Sequence, residues 1–509
     1  MKTLLRLFTN KIFVVGLLVV TEFFLLLALV WNLSINYAVI YGVLMFLAIL
    51  LIIYIINRND NPVYRLAWTI IILVFPPIGA VLYLVFGGKQ VPKKLRERIT
   101  DAYSNESFLD IDYFQTLEEA GEKRPHWNRM LRYVMNTSHY PVLQNTKSTY
   151  LASGEVKFEV MKEQLRQAKK FIFLEYFIIK DGVMWQGVLD ILREKVKEGV
   201  DVRLLYDDWG CALFADLQEQ CDEAGIRAIS FNPLVARLAI QMNNRNHRKI
   251  CIVDGRSGIV GGMNLADEYI NIGSKFGHWK DTAVMIEGDG VHSLTMMFLQ
   301  FWRYYTERIE DPINFKYDFN HAHDQETGYV LPFSDAPTDN VDMGLDAHMF
   351  MINNAQHYVY IQTPYLIIGY ELITALKMAA RSGVDVRIVV PHIPDKKIVN
   401  QVTKSNYQEL LENGVRIYEY EPGFVHSKTV VVDDEIAMVG TTNMDYRSYY
   451  LHYECSILFL NNDVVHQCYL DSMDTIENKS IEISLEDALA VPAPVRLFRS
   501  IVRVFSGLM

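Results

Sequence analysis

The chain is poor in cysteine and in basic charge. Its five cysteines (Cys211, Cys221, Cys251, Cys455 and Cys468) are scattered, odd in number and form no CxxC pair. Neither a disulfide framework nor a cysteine zinc site fits that pattern. Cys251 and Cys455 lie in apolar, strand-like runs, where core packing is expected. Lys and Arg number 49 against 60 Asp and Glu, a formal net charge of -11. Nucleic-acid binders normally carry a basic footprint, so no nucleic-acid partner is expected. Hydrophobic residues, by contrast, make up 50% of 509 residues. That length accommodates a membrane anchor plus two ordinary domains.

Apolar sequence is concentrated at the start, in stretches 12–30, 37–56 and 66–86. The first two are each about long enough to cross a bilayer as a helix. No small-x-small cleavage site follows the first, which argues against a signal peptide. Glu22 lies inside it, and a helix face turned toward neighbouring helices accounts for it better than a functional carboxylate does. Lys2, Arg6 and Lys11 precede the first stretch, and loop 31–36 has no Lys or Arg. Arg58 and Arg65 precede the third stretch, and Lys89, Lys93, Lys94, Arg96 and Arg98 follow it. The positive-inside rule places all three basic groups in the cytoplasm. They cannot all be there if the third stretch crosses. Pro76, Pro77 and Gly79 interrupt it at its middle. The expectation is two spans plus a re-entrant or interfacial hairpin in 1–88, with a cytoplasmic catalytic part. Three full spans with an external catalytic part is the competing arrangement. Residues 89–135 read as a charged linker with helical pieces.

Two stretches organise the rest. Asn246-His247-Arg248-Lys249 runs through Ile250–Val253 to Asp254, and Val425-His426-Ser427-Lys428 runs through Thr429–Val432 to Asp433. After six intervening residues each Asp is followed by a small pair, Gly261-Gly262 or Gly440-Thr441, and each His lies seventeen positions before an Asn, Asn264 or Asn443. His and Lys two apart share one face of an extended strand. A His serves as nucleophile or as general acid/base near neutral pH. A neighbouring Lys and Asn hold phosphoryl oxygens by charge and hydrogen bond, and small residues let a phosphate approach the backbone.

Two such motifs at matching offsets resemble the phospholipase D superfamily. Arg245-Asn246-His247-Arg248-Lys249, Trp279-Lys280-Asp281-Thr282 and Asn443-Met444-Asp445-Tyr446-Arg447-Ser448 with Glu454 resemble its bacterial cardiolipin synthase branch. So does the Trp68, Pro76-Pro77, Gly79, Tyr83, Phe86-Gly87 pattern of the membrane segment. His452 departs from that branch, where Asn is frequent. The resemblance implies a motif set of His247, Lys249, Asp254, His426, Lys428 and Asp433. His247 would be the nucleophile and His426 the acid/base, although the near-identical motifs do not decide the order. Lys249, Lys428, Asn264 and Asn443 would bind the phosphoryl oxygens. Two lysines would do the charge work given elsewhere to Mg²⁺, so neither metal nor other cofactor is expected. Asp254 and Asp433 sit seven residues from their His, at ~3.3 Å per residue too far for direct contact, and a structural role is expected. Asp281 and Glu454 are the better candidates for orienting the two rings.

An internal repeat accompanies the motifs. Gly-Val-Asp-Val-Arg occurs at 199–203 and again at 383–387. Each half reads as strand, helix and strand, with a further strand bearing the His. The fold class is therefore α/β: two duplicated phospholipase D-like halves, with parallel strands joined by helices, behind an N-terminal membrane-helix module. The halves are placed at 136–330 and 331–490. The family implies pseudo-two-fold packing and one composite site at the seam. A tail at 491–509 carries Arg496, Arg499 and Arg503 on one helix face; it reads as an interfacial amphipathic helix or as a packed terminal helix.

The function implied is a membrane phosphatidyltransferase making cardiolipin and glycerol from two phosphatidylglycerols through a phosphohistidine. The alternative is a phospholipase D-type hydrolase, or transfer to another alcohol. The expected location is a bacterial cell membrane, multi-pass, and the expected partners are phosphatidylglycerol and membrane lipid.

Overall fold

The structure, a computed structural model, describes residues 37–87, 111–233, 244–308, 310–338 and 341–508, with scattered positions between 20 and 32. Most of the first apolar stretch, Glu22 and the basic groups at 2–11 and 89–98 lie outside the described residues. Helix α1 (Ala38–Ile56) is the one helix among the described residues long and apolar enough to cross a membrane. The third apolar stretch is not one helix. Helices α2 (Pro62–Val74) and α3 (Pro76–Phe86) meet at Phe75, where Pro76 lacks the N–H that would continue the first helix. The second folds back along the first. A Cβ at Gly79 would lie 2.7 Å from the Ile71 carbonyl oxygen, and the Trp68 and Tyr83 rings meet edge-on at 5.4 Å. Arg65 donates to the Ile56 carbonyl and Arg58 pairs with Asp60. Arg65 thereby closes the end of α1, a favourable place for a cation.

Helices α4 (Ile111–Lys123) and α5 (Pro125–Ser138) come next. Leu117, Trp127, Met130 and Val134 are buried in the main core.

The first half follows: β1 (Thr146–Leu151), α6 (Gly154–Arg166), β2 (Phe171–Tyr176), α7 (Val183–Lys197), β3 (Asp201–Asp207), α8 (Leu217–Glu223), β4 (Arg227–Phe231), β5 (Ile250–Val253), β6 (Ser257–Gly261), β7 (His278–Lys280), β8 (Ala283–Gly288) and α9 (Gly290–Thr306). Its sheet order is β1-β8-β6-β5-β2-β3-β4.

The second half repeats the plan: β9 (Tyr329–Asp335), α10 (Met343–Asn354), β10 (Tyr358–Gln362), α11 (Tyr370–Arg381), β11 (Asp385–Pro391), α12 (Lys397–Ser405), α13 (Tyr407–Leu411), β12 (Arg416–Tyr420), β13 (Gly423–Val425), β14 (Thr429–Val432), β15 (Ile436–Gly440), α14 (Tyr446–Tyr450), β16 (Glu454–Leu460), α15 (Asp463–Lys479) and β17 (Ser480–Ile483). Its order, β17-β12-β11-β10-β14-β15-β16-β9, matches the first strand for strand apart from the extra edge strand β17.

The two large sheets are mixed rather than parallel throughout. Among their described strands, β2-β3-β4 and β10-β11-β12 run parallel and the other pairs antiparallel. The strands after each His return by tight turns, at Asp254-Gly255-Arg256 and Asp433-Asp434-Glu435, and so pair antiparallel. A three-residue turn permits only that, whereas parallel pairing needs a longer crossover. The repeated pentads are structural. Gly199 and Gly383 turn at φ 87° and 97°, and Arg203 and Arg387 pair with Asp201 and Asp385 two residues earlier, on the same strand face.

Helix α16 (Leu485–Leu489) leads to α17 (Ala493–Val504). Val502 packs with Ile367, Val402 and Tyr446, while Leu497, Phe498 and Ile501 face outward. The end of the chain then meets the membrane module: a Cβ at Gly507 would lie 2.9 Å from the Tyr64 backbone nitrogen. Asn61 donates to the Tyr450 hydroxyl at 2.9 Å, a second tie between module and body.

Candidate active site at the seam

Neither His lies on a sheet strand. Strands β5 and β14 begin three residues after His247 and His426. Each His instead ends an extended segment that pairs with the opposite half. Strand β13 pairs parallel with β7, setting Val425 beside Lys280, and the His426 N–H donates to the Lys280 carbonyl at 2.7 Å. In mirror fashion Asn246 bridges to Tyr453, and the His247 N–H donates to the Tyr453 carbonyl at 2.9 Å. The next residue on the opposing segment is Asp281 in one case and Glu454 in the other. His426 Nδ1 is 2.7 Å from Asp281 Oδ2. His247 Nδ1 is 2.9 Å from both Glu454 oxygens. Each ring is thus held by a carboxylate from the other half, and neither of these two pairs is complete within one half.

Both carboxylates are fully buried. Glu454 accepts from Thr441 Oγ1 at 2.5 Å and Ser448 Oγ at 2.8 Å. Asp281 accepts the Thr282 N–H at 2.7 Å. Gly262 lies directly against it, since a Cβ there would stand 2.2 Å from Asp281 Oδ1. The small pairs therefore make room for protein rather than for a phosphate at the backbone. Gly261 and Gly440 clear the Thr282 and Cys455 carbonyls in the same way.

The lysine amines fold back onto the carbonyls of their own histidines, Lys249 to His247 and Lys428 to His426. Burial pushes the Lys249 ammonium down to about 7, aided by the Lys428 charge and opposed by Glu454. It pushes Lys428 down to about 8, with Asp281 opposing. Burial, and after it the two lysine charges, hold both imidazoles well below the usual histidine range. Burial also raises Asp281 to about 7, against the pull of Lys428. The apo site thus strains to carry positive charge, and an anion entering it relieves that strain.

Asn264 accepts the Ile178 N–H at 2.9 Å and donates to the Tyr269 hydroxyl at 2.6 Å, which leaves one amide hydrogen for a ligand. Asn443 is less engaged; its Oδ1 has no partner among the described residues. Aromatic rings frame the two histidines differently. Tyr269, Trp279 and Phe424 surround His426, whereas Phe177 and His452 flank His247 at 5.0 and 5.5 Å.

Asp254 and Asp433 do not reach the site. Each sits at φ 55°, in a left-handed turn that Asp tolerates. Asp254 accepts the N–H groups of Lys169, Lys170 and Phe171 at 2.7–2.8 Å. Asp433 does the same for Gln356, His357 and Tyr358. They clamp the starts of β2 and β10. Asp254→Ala strands three backbone donors, so a loss of about 2–4 kcal/mol in unfolding free energy is expected. Denaturant titration checks this, and turnover of the remaining folded enzyme should stay near wild type.

In the sequence Thr441, Arg447 and Ser448 stand out only as parts of motifs, with no role of their own; Phe177 carries no signal, and nothing is drawn from His452. The hydroxyls carried a faint signal, since Thr441 replaces the second glycine of the small pair and Ser448 lies six residues before Glu454.

Known proteins bear on this geometry. A family described as "Cardiolipin synthase, PLD-like domain" matches residues 161–302 and 349–472, one segment per half. A second, "Phospholipase_D-nuclease N-terminal", matches 46–88. A cardiolipin synthase of Geobacillus kaustophilus is 34% identical over 92% of this chain and 94% of its own length. One from Halalkalibacterium halodurans is 34% identical over 89% and 90%. Among solved structures, phosphatidylserine synthase of Haemophilus influenzae superposes with a TM-score of 0.55 at 17% identity, covering 74% of this chain and 98% of that one, which speaks to the fold. Duplicated halves, a reciprocal His–carboxylate seam and matches across nearly the whole length agree: the chain belongs to the cardiolipin synthase family of the phospholipase D superfamily, and is a membrane-associated phosphatidyltransferase of that type.

Proposed function

We propose that the enzyme moves a phosphatidyl group from one phosphatidylglycerol to a second, giving cardiolipin and glycerol, through a phosphohistidine. The reciprocal His–carboxylate pairing carries this reading. With Nδ1 of each ring engaged, Nε2 is the free nitrogen on both. His247 Nε2 attacks phosphorus; the P–N bond forms and the P–O bond to glycerol breaks. His426 Nε2 protonates the departing alkoxide. It then takes the proton from the primary hydroxyl of the second lipid, whose oxygen displaces His247. Lys249 and Lys428 meet the non-bridging oxygens, and Asn443 and the spare hydrogen of Asn264 assist. The phosphodiester energy is kept in the P–N bond, so no nucleotide is required.

The test is detergent-purified enzyme with phosphatidylglycerol alone. Cardiolipin with equimolar glycerol is expected; phosphatidic acid in its place would make water the acceptor.

The lowered lysines set a pH dependence. Lys249, near 7, and Lys428, near 8, lose their protons as pH rises, and with them the attraction for the phosphodiester. kcat/KM should therefore begin to fall above about pH 7, as Lys249 deprotonates, and fall further above about pH 8 with Lys428, well before an ordinary lysine titrates near 10.4. Arginine stays charged, so Lys249→Arg, though slower, should carry that limb to higher pH.

For topology the proposal is a multi-pass anchor in which α2 and α3 re-enter without crossing, leaving the catalytic body in the cytoplasm. Protease added outside sealed, right-side-out vesicles should spare the body; digestion from outside would favour three full crossings.

A further inference from the structure

Helix α17 is inside out. A surface helix ordinarily turns its apolar stripe to the core and its charges to water. Leu497, Phe498 and Ile501 share one stripe by their spacing, yet they are 64, 45 and 51% exposed. The arginines of the opposite stripe are the ones bonded to protein. Arg499 Nε donates to Gln401 Oε1 at 2.9 Å, and Arg503 Nη2 donates to Glu409 Oε2 at 3.2 Å. Arg496 Nη2 reaches the Leu489 and Val491 carbonyls at 3.4 and 3.3 Å. Ile398 of α12, also exposed, lies one turn before Gln401 and Val402, which meet α17, and so lengthens the outward apolar strip. Large apolar side chains gathered on one surface, with the charges turned inward, mark a face that is not meant for water.

We infer that the outer face of α17, extended by Ile398, lies in the interfacial layer of the bilayer and seats the catalytic body on the lipid surface. The occupant is lipid because the face continues the membrane module. Val63 of α2 packs on the cluster that holds Val502, and Gly507 lies against Tyr64. Further along α2, Leu66 and Leu73 are exposed as well. Charge agrees with this assignment. In a chain of net charge -11, exposed Lys396, Lys397 and Arg496 flank the apolar strip in sequence, and cations there suit anionic headgroups. The same surface reaches the seam. Lys396, at the start of α12, stands 4.9 Å over the Tyr365 ring; Tyr365 meets Phe424 at 6.4 Å, and Phe424 meets His426 at 5.8 Å. A lipid then approaches the seam without carrying its acyl chains through water. The inference rests on the membrane association of the chain and not on the transfer chemistry.

The experiment places a fluorophore on each stripe. All five cysteines are buried, so an added surface cysteine in the folded full-length chain takes the label selectively. Leu497→Cys, Phe498→Cys, Ile501→Cys and, on the opposite stripe, Arg496→Cys are labelled with an environment-sensitive dye. Each is reconstituted into vesicles of phosphatidylcholine and phosphatidylserine, with and without spin-labelled phospholipid. Quenching by that lipid should be at least about threefold stronger at 497, 498 and 501 than at 496, with emission shifted to the blue. Quenching by aqueous iodide instead, or equal quenching at all four positions, overturns the inference. So does blue-shifted emission that the spin-labelled lipid leaves untouched and that persists in detergent, since protein, such as a second copy, would then cover the face. No turnover enters the reading, so failure of the proposed function is a separate result.

Discussion

His247→Gln should lower phosphatidyl transfer by about 10⁴- to 10⁶-fold, the range seen when a covalent nucleophile is removed from a site that acts as a unit. His426→Gln should cost nearly as much with phosphatidylglycerol, because glycerol is a poor leaving group and needs its proton. The two roles separate with a leaving group that needs none. On a phosphatidyl ester of p-nitrophenol, His426→Gln should still release one nitrophenol per site in a burst, having lost mainly the base for the second step. His247→Gln should show no burst. A burst in His247→Gln and none in His426→Gln would exchange the two roles while leaving the composite site intact. The assignment matters because the halves are nearly symmetric: both histidines have a carboxylate at Nδ1 and a lysine two residues on.

Glu454→Gln is the second large effect. Glu454 is fully buried and takes His247 Nδ1 between its two oxygens, with Thr441 and Ser448 donating to the same oxygens. An amide keeps the volume but turns one acceptor into a donor. A donor facing Nδ1 drives the ring proton to Nε2, which removes the nucleophilic lone pair. A comparable Asp-to-Asn change in a serine protease costs about 10⁴ in turnover. A loss of about 10³- to 10⁴-fold in kcat is expected, with little change in KM. The loss should vanish in a His247→Gln background, since both changes disable the same ring. Additive losses in the double variant would mean that Glu454 acts elsewhere. Thr441→Ala, which removes one hydrogen bond to the carboxylate, should cost about tenfold.

How much of this was legible in the sequence differs from feature to feature. The duplication was, because the Gly-Val-Asp-Val-Arg pentads and the two motifs recur at nearly constant offset, and that offset alone implies two like units. Which strands run antiparallel was not. It depends on the tight left-handed turns at Asp254 and Asp433, while the apolar runs look the same in either direction. The same turns explain why both aspartates recur in the motif: they hold strand starts by three backbone bonds each, far from the histidines. Asp281 and Glu454 could be singled out as carboxylates suited to orienting a ring. Their exchange across the seam could not, since the contacts join residues 145 and 207 positions apart. The small pairs invited a phosphate because glycine leaves space, but only the packed structure shows that the Asp281 side chain fills it. His452 illustrates the opposite failure. One residue in an otherwise matching motif carries no chemical signal until its ring is seen between Arg447 and His247.

The central claim is a covalent phosphatidyl group on His247 at a site built from both halves. Enzyme mixed briefly with phosphatidylglycerol, denatured at neutral pH to spare both the P–N bond and the acyl esters, and digested, allows the adduct to be located by mass spectrometry. A phosphatidyl mass on the peptide bearing His247, absent from His247→Gln, is the predicted result. Cardiolipin formation with the adduct on His426, or on no histidine at all, would contradict the account.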